Sequence, residues 1–173
     1  GRFYSPLGKE FTAYSNVERA RVVEKKLFDK HLAKRAARAG AEFKMKTGVR
    51  TPSINEGVRV RADGIYGEET LESELLIGAD GVRSTIARQL GLKTSNKIVA
   101  AIQVEVDRVE VERDIAEVYF GHRYAPNFYA WILPKENTYE VGLGVRRPKA
   151  KLKEYLGRFM RQHPVASKKI RGS

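Results

Sequence analysis

Apolar residues recur along the chain with two periods, and the change from one to the other predicts its elements. Residues 3–23 alternate loosely around the turn residues Pro6, Gly8 and Asn16, predicting one or two strands that end in Ala20-Arg21-Val22-Val23. Phe28, Leu32, Ala36 and Ala39 then follow at helical spacing, and Gly40 stands where a left-handed residue closes a helix. Phe43 and Met45 alternate with Glu42, Lys44 and Lys46, which predicts a half-buried strand over 41–47. Val58 and Val60 alternate with Arg59 and Arg61 up to Asp63-Gly64, a dipeptide that tolerates the positive φ of a tight hairpin turn. A small meander is expected.

Leu75-Leu76-Ile77 breaks the alternation. It is a short continuous apolar run leading into Gly78-Ala79-Asp80-Gly81 and a helix predicted from Thr85 to Leu90, capped by Ser84 and stopped by Gly91. Strand, glycine turn and helix form the local plan of an α/β nucleotide-binding layer, in which such a strand expects neighbours on both sides. From Lys97 the period returns to two: Ile98, Ala100, Ile102, Val104 and Val106 alternate, and 118–120, 128–133 and 139–145 read as further strands of an antiparallel sheet. Residues 149–162 close as an amphipathic helix with Leu152, Tyr155, Leu156, Phe159 and Met160 on one face, ending before Pro164.

Composition narrows the classes open to such a chain. Its 173 residues, 42% of them hydrophobic, suit about one soluble domain, and no apolar run approaches the ~20 residues of a membrane-spanning helix. The absence of cysteine excludes disulfides, thiolate metal sites, iron–sulfur clusters and a Cys nucleophile. The opening Gly-Arg-Phe-Tyr has neither initiator Met nor signal-peptide regions, so the chain reads as an internal piece of something longer, with Gly172-Ser173 a cloning remnant. Net charge is +12, from 33 Lys and Arg against 21 Asp and Glu. Ten basic residues face the single acid Glu154 between Arg146 and Arg171, so three quarters of that charge sits in the tail. A solvated helix face is the simplest reading; the same field would also draw nucleic acid, anionic lipid or an acidic partner.

Three motifs carry chemistry. In Leu75–Ser84 a buried strand would deliver a turn whose glycines admit a ligand to the backbone, with Asp80 able to accept hydrogen bonds and a helix start facing an anion. The segment resembles the Asp-Gly fingerprint near the flavin pyrophosphate in the flavin-dependent hydroxylase and reductase superfamily. Glu24–Ala33 resembles the Arg-x-x-Phe-Asp-x-x-Leu stretch of the same flavoproteins, with Lys25 in place of the Arg that contacts the dinucleotide, which keeps the charge and loses the planar fork. Read by themselves, Phe28 and Leu32 are core and Lys25 and Asp29 solvated helix-start charges. Tyr129-Ala130-Trp131-Ile132-Leu133-Pro134, followed after seven residues by Gly142-Leu143-Gly144, resembles the Tyr-x-Trp-x-Phe-Pro and Gly-x-Gly signature of archaeal geranylgeranyl reductases. Leu133 replaces the usual Phe, and Asn127-Phe128 replaces a Gly-Gly before the signature Tyr. Without the Pro and Gly-x-Gly spacing, Tyr129 and Trp131 would read simply as sheet core.

The resemblance implies a flavin-dependent reductase that saturates double bonds of geranylgeranyl chains in archaeal ether-lipid synthesis. It implies an α/β fold with α+β character: part of a Rossmann-like FAD-binding domain with a β-meander over 1–95, an antiparallel-sheet substrate domain over 96–147, and a basic helix and tail over 148–173. FAD would contact Lys25, Val49, Gly78, Asp80 and Gly81; the isoprenoid lipid would contact Tyr129, Trp131, Pro134, Gly142 and Gly144. A reductant protein or a nicotinamide would supply electrons, and the basic tail would dock a cytoplasmic enzyme on an anionic membrane surface, with no specific nucleic acid bound. The superfamily's amino-terminal Gly-x-Gly-x-x-Gly and late Gly-Asp motifs are not among these residues, so the expectation is the middle of such an enzyme, unable to hold flavin tightly alone. No catalytic residue stands out. Asp29, Asp80 and Glu140 make no evident acid/base pair, and His31, His122 and His163 lack paired metal-ligand spacing, so no metal is expected. The rival readings are a monooxygenase or halogenase of the same fold, and a basic module binding RNA or an acidic partner.

Overall fold

A computed structural model of the chain describes every residue except 20, 108, 110, 164–169 and 172–173, and the backbone alone at 51, 170 and 171. Ala20, Pro164, Lys168, Lys169, Gly172-Ser173 and the Arg171 side chain, all used in the sequence reading, therefore lie outside what is described. In chain order the elements are β1 (Arg2–Tyr4), β2 (Glu10–Thr12), α1 (Lys25–Arg38), β3 (Gly48–Ile54), β4 (Val58–Gly64), β5 (Gly67–Ser73) and α2 (Thr85–Gln89). They continue with β6 (Val99–Val106), β7 (Glu117–Tyr119), β8 (Ala130–Pro134), β9 (Tyr139–Arg146), α3 (Leu152–Gln162) and β10 (Ile170–Arg171). Contacts divide them into two compact units, Gly1–Phe28 with Lys97–Ser173, and Asp29–Asn96, the division falling inside α1.

The first unit is a seven-stranded sheet in the order β10-β6-β9-β8-β7-β1-β2. Alternation sorts its side chains onto two faces, because residues directly opposite on neighbouring strands share a face. Val104, Val141 and Ile132 form one such row, and Ile102, Leu143, Ala130 and Tyr119 the next. This face packs under α3, whose Tyr155, Leu156 and Phe159 are buried with it in one core cluster. Phe159 is fully buried, with Tyr119 edge-on at 5.2 Å. The expected helix, its apolar face and its end at Gln162 agree with the structure, though it starts at Leu152 and not at 149.

A polar group is buried on the same face. Glu117 is 3% exposed and accepts hydrogen bonds from Arg2 Nη1 at 3.3 Å, Tyr4 Oη at 3.1 Å and Tyr119 Oη. Tyr4 stacks on Tyr119 at 4.5 Å. Burial pushes the Tyr119 hydroxyl far up, and the bond to Glu117 adds to the shift, so the phenol stays a donor. His163, at the end of α3, lies among Tyr119, Phe159 and Tyr124 with ring centroids 4.4, 4.9 and 5.7 Å away. Burial lowers its pKa, opposed by the charge of Glu117.

The second unit contains the antiparallel meander β3-β4-β5. The period-two reading holds in β4, which buries Val58, Val60 and Ala62 and exposes Arg59 and Arg61. Those arginines reach across to Glu72 and Glu68 on β5, and Arg50 to Asp63, exposed pairs that solvent screens and that add little to stability. Gly64 pairs with Gly67, so the hairpin turn is Ile65-Tyr66 and not Asp63-Gly64; Gly67, at φ +104, supplies the positive φ just after the turn. In α1, Gly40 takes φ +94 as predicted, but none of the helix is buried, and Phe28 and Leu32 are about half exposed. In α2 the Ser84 cap and the Gly91 stop, at φ +64, are both found.

Two expected strands are not formed, and those expected over 3–23 form as β1 and β2 without reaching 21–23. Residues 21–23 are irregular. Residues 41–47 are irregular as well, with Lys46 in the left-handed region at φ +53, which breaks an extended run, and the strand starts at Gly48. Leu75-Leu76-Ile77 joins no ladder, and Leu75 and Ile77 are more than 70% exposed; a parallel strand needs a neighbour to satisfy its backbone, and none among the described residues pairs with it. The partition of the sequence into 1–95, 96–147 and 148–173 is a different kind of division from the geometric one, since β1 and β2 hydrogen-bond into the sheet of the first unit.

Two consequences are measurable by urea unfolding. Phe159→Ala, which empties the centre of the core under α3, is expected to cost about 3–5 kcal/mol. For His163 the folded pKa lies below the unfolded value of about 6.5, so the unfolded chain binds more protons in between. Its contribution to stability is present above pH 6.5 and is lost as pH falls through the folded value. His163→Phe should flatten that acid limb, while wild type loses stability as pH falls below about 6.5.

Candidate aromatic shelf and glycine turn

The face of the seven-stranded sheet opposite α3 is built around two glycines. Trp131 on β8 stands directly opposite Gly142 on β9, which in turn pairs with Gln103 on β6. A Cβ on Gly142 would lie 2.5 Å from Trp131 Cζ2 and 2.9 Å from Gln103 Cβ, closer than real carbon atoms approach. A Cβ on Gly144 would overlap the Phe128 ring and come within 2.8 Å of Val99 Cγ1. The absent side chains are therefore what allow the two rings to lie against the strand. Phe128 stacks on Tyr129 at 4.3 Å, Tyr129 meets Trp131 edge-on at 5.9 Å, and Phe120 meets Tyr129 at 6.2 Å. The result is a continuous aromatic shelf, joined at one end by a cavity of about 400 Å³ lined by Pro6, Phe120, His122, Phe128 and Tyr129.

Tyr129, Trp131, Gly142 and Gly144 are thus brought together. Pro134 is not: it pairs with Tyr139, whose partner on the other side is Val106, and by alternation it belongs to the α3 face. Sequence reasoning missed Phe128, which fills the space over Gly144. Its neighbour Asn127 has φ +56, a conformation natural to glycine that Asn tolerates, so the turn before the shelf is made by a left-handed residue.

Charged groups gather at the end of the shelf beyond Trp131. Lys135, whose side chain is 14% exposed, lies 3.1 Å from Glu24 and 3.7 Å from Glu105. Burial works to lower its pKa, but the hydrogen bond to Glu24 and the charges of Glu105, Glu24 and Glu140 outweigh it, and the net shift is upward. This cluster also escaped the sequence reading, because its members are scattered from 24 to 140.

In the second unit, Gly78, Asp80 and Gly81 form the turn before α2. The Asp80 carboxylate accepts from Ser84 Oγ at 2.5 Å, Thr85 N at 2.7 Å and Ile86 N at 3.2 Å. Ser84 Oγ in turn accepts from Ala87 N at 2.9 Å. The Ser84 hydroxyl, then the backbone N–H groups, hold the Asp80 carboxyl below the usual range. Its role in this structure is to fix the turn. Gly78 packs tightly, a Cβ there falling 3.1 Å from Ile86 Cγ2, whereas Gly81, at φ +85, is open with no atom within 4 Å of such a Cβ. Val49 lies beside the β-bulge of edge strand β3 and is 44% exposed. Lys25 opens α1 on the side of the division that belongs to the first unit. Among the described residues no group of His, Asp and Glu is arranged to hold a metal ion.

The shelf, the α3 face and the tail lie in one stretch of sequence that matches a known domain, the geranylgeranyl reductase catalytic domain, over residues 97–171. This stretch resembles the catalytic domain of geranylgeranyl reductases. The chain is 40% identical over 173 aligned residues to the digeranylgeranylglycerophospholipid reductase of Methanocaldococcus jannaschii, covering 92% of this chain and 42% of that one. The crystal structure of a geranylgeranyl bacteriochlorophyll reductase-like protein from Thermoplasma acidophilum superposes with a TM-score of 0.84 at 30% identity, over 99% of this chain and 47% of that one. The flavin-dependent halogenase CmlS superposes with a TM-score of 0.61 over 81% of this chain and 27% of its own, at 24% identity, a likeness of fold alone. The chain spans less than half the length of the curated relatives it matches. The resemblance read from Tyr129–Gly144 and the mixed α/β fold class both hold.

Gly142→Ala tests the shelf directly. Its Cβ must displace Trp131 or Gln103, so a loss of about 1–3 kcal/mol is expected, together with a changed emission from Trp131, the sole tryptophan, in a urea titration followed by fluorescence.

Proposed function

We propose that the protein is a flavin-dependent reductase that saturates double bonds of geranylgeranyl chains in archaeal ether-lipid synthesis. The observation that carries this reading is the aromatic shelf: flat rings laid close on the buried glycines of β9, beside an adjoining cavity, suit a long hydrocarbon, and the rings and glycines lie within residues 97–171. Tyr129, Trp131, Phe128, Gly142 and Gly144 would line the lipid site; Pro134 would only terminate β8. FAD, when bound and reduced, would supply the hydride chemistry for saturating an alkene, with a proton completing the addition.

The residues assigned to the cofactor fit FAD in part. Gly81 leaves its backbone open, and Asp80 braces the turn so that this backbone is presented in one conformation. Lys25 would offer a single ammonium to a phosphate, and the backbone near Val49 a further contact. Electrons would come from a reductant protein or a nicotinamide. The enzyme would work in the cytoplasm at the membrane surface, because Arg147, Lys149, Lys151 and Lys153 stand exposed ahead of and along the first turn of α3. Each basic residue near an anionic surface contributes about 1 kcal/mol. No helix described is long and apolar enough to cross a membrane.

The test uses the whole protein purified from its source. It should be yellow, should co-sediment with anionic vesicles at low salt and not at high salt, and with a reductant should add the mass of two hydrogens per double bond to a digeranylgeranyl glycerophospholipid. Oxygen or halogen inserted into an aromatic compound instead would establish a monooxygenase or halogenase. A colourless protein that ignores added flavin and binds RNA well beyond nonspecific affinity would sink the reductase reading.

A further inference from the structure

The Trp131 ring is held from three directions, and one of the three is a carboxylate that the family signature does not include. Beneath it is Gly142, against whose missing Cβ the Cζ2 and Cε2 edge of the indole lies. Beside it is the edge of Tyr129. At its polar end Trp131 Nε1 donates a hydrogen bond to Glu140 Oε1 at 3.2 Å. Glu140, Gly142 and Gly144 are alternate residues of β9 and share the shelf face, so one strand supplies the floor under the rings and the acceptor for the only indole N–H.

That acceptor is placed at some electrostatic expense. Glu140 stands directly opposite Glu105 on β6, a like-charge pair that is destabilising by itself. Lys135 offsets it, sitting between Glu105 and Glu24, and Thr138 Oγ1 donates to Glu105 at 2.5 Å. A strand position serving only to pack a sheet would not need a carboxylate there. An indole laid on an apolar surface does need an acceptor, because an unpartnered N–H there would favour other ring orientations.

We propose that Glu140 is a positioning residue that locks the Trp131 indole flat over Gly142, and so fixes the surface on which a polyprenyl chain is bound. The second half of this statement rests on the lipid reading given above; the first half does not. A free indole N–H would turn toward solvent, and the ring would stand up from the sheet and interrupt the shelf.

Trp131 is the sole tryptophan, so its emission and its quenching by acrylamide report the ring alone, and geranylgeraniol in mild detergent is the binding probe. In Glu140→Leu the emission maximum and acrylamide accessibility should both move, and the alcohol should bind about tenfold more weakly. In Glu140→Gln, whose amide oxygen still accepts, emission and affinity should return to within about threefold of wild type. The circular dichroism of both variants, set against wild type, shows whether the sheet is retained. Unchanged emission and accessibility in Glu140→Leu overturns the proposal. A Glu140→Gln as impaired as Glu140→Leu also overturns it, since charge in the Lys135 cluster and not indole orientation would then be the cause. If wild type ignores geranylgeraniol while the emission shift appears in Leu and is rescued in Gln, the lock on Trp131 stands and the prenyl-lipid reading fails.

Discussion

Two atoms that are not there, the β-carbons of residues 142 and 144, are the constraint on which the first unit's open face depends. A β-strand with ordinary side chains raises its neighbours' rings several ångströms off the backbone. With those positions bare, Trp131 and Phe128 lie against β9 itself, Tyr129 fits between them, and the face becomes broad and low. Glycine inside a strand costs roughly 0.5–1 kcal/mol against alanine through lost backbone entropy, and the ring contacts offset that cost. The same residues thereby stabilise the sheet and shape its surface.

The two faces meet one problem, a polar group taken partly out of water, in related ways. Under α3, Glu117 is nearly inaccessible and is satisfied by an arginine and two tyrosine hydroxyls. On the open face Glu140 serves an indole, with Lys135 and Thr138 managing the charge of the neighbouring Glu105. In each case the carboxylate accepts from aromatic donors, so it fixes rings as well as satisfying itself. The aromatic content of the sheet is ordered by acids.

How much of this was legible follows from range. The helices α2 and α3, the alternation of β4 and β6, and the left-handed Gly40 and Gly91 are set by neighbours within a turn or a strand, and the sequence pattern shows them. The clustering of Tyr129, Trp131, Gly142 and Gly144 was readable because Trp131 and the two glycines lie on adjacent strands of a hairpin and Tyr129 immediately precedes β8. Pro134 was misplaced because proximity in sequence hid the parity of the strand. The Ile65-Tyr66 turn was missed because Asp63-Gly64 is the more familiar turn dipeptide, while Gly67 met the φ requirement just as well. Leu75–Ile77 looked like a buried strand on hydrophobicity alone, which says nothing of a partner to complete its hydrogen bonds. The Lys135 and Glu117 clusters join residues a hundred positions apart, and no local pattern announces them.

The sheet of the first unit is sewn from two distant stretches of chain. Arg2 pairs with Glu117 and Tyr4 with Tyr119, the one parallel ladder among the described strands, while the meander is complete within residues 48–73. Closing so long a loop is slow relative to forming hairpins, so the order of events during synthesis is set by topology. The meander can form as soon as residue 73 is available. The hairpin of β1 and β2 must wait, without its place in the sheet, until β7 has been made.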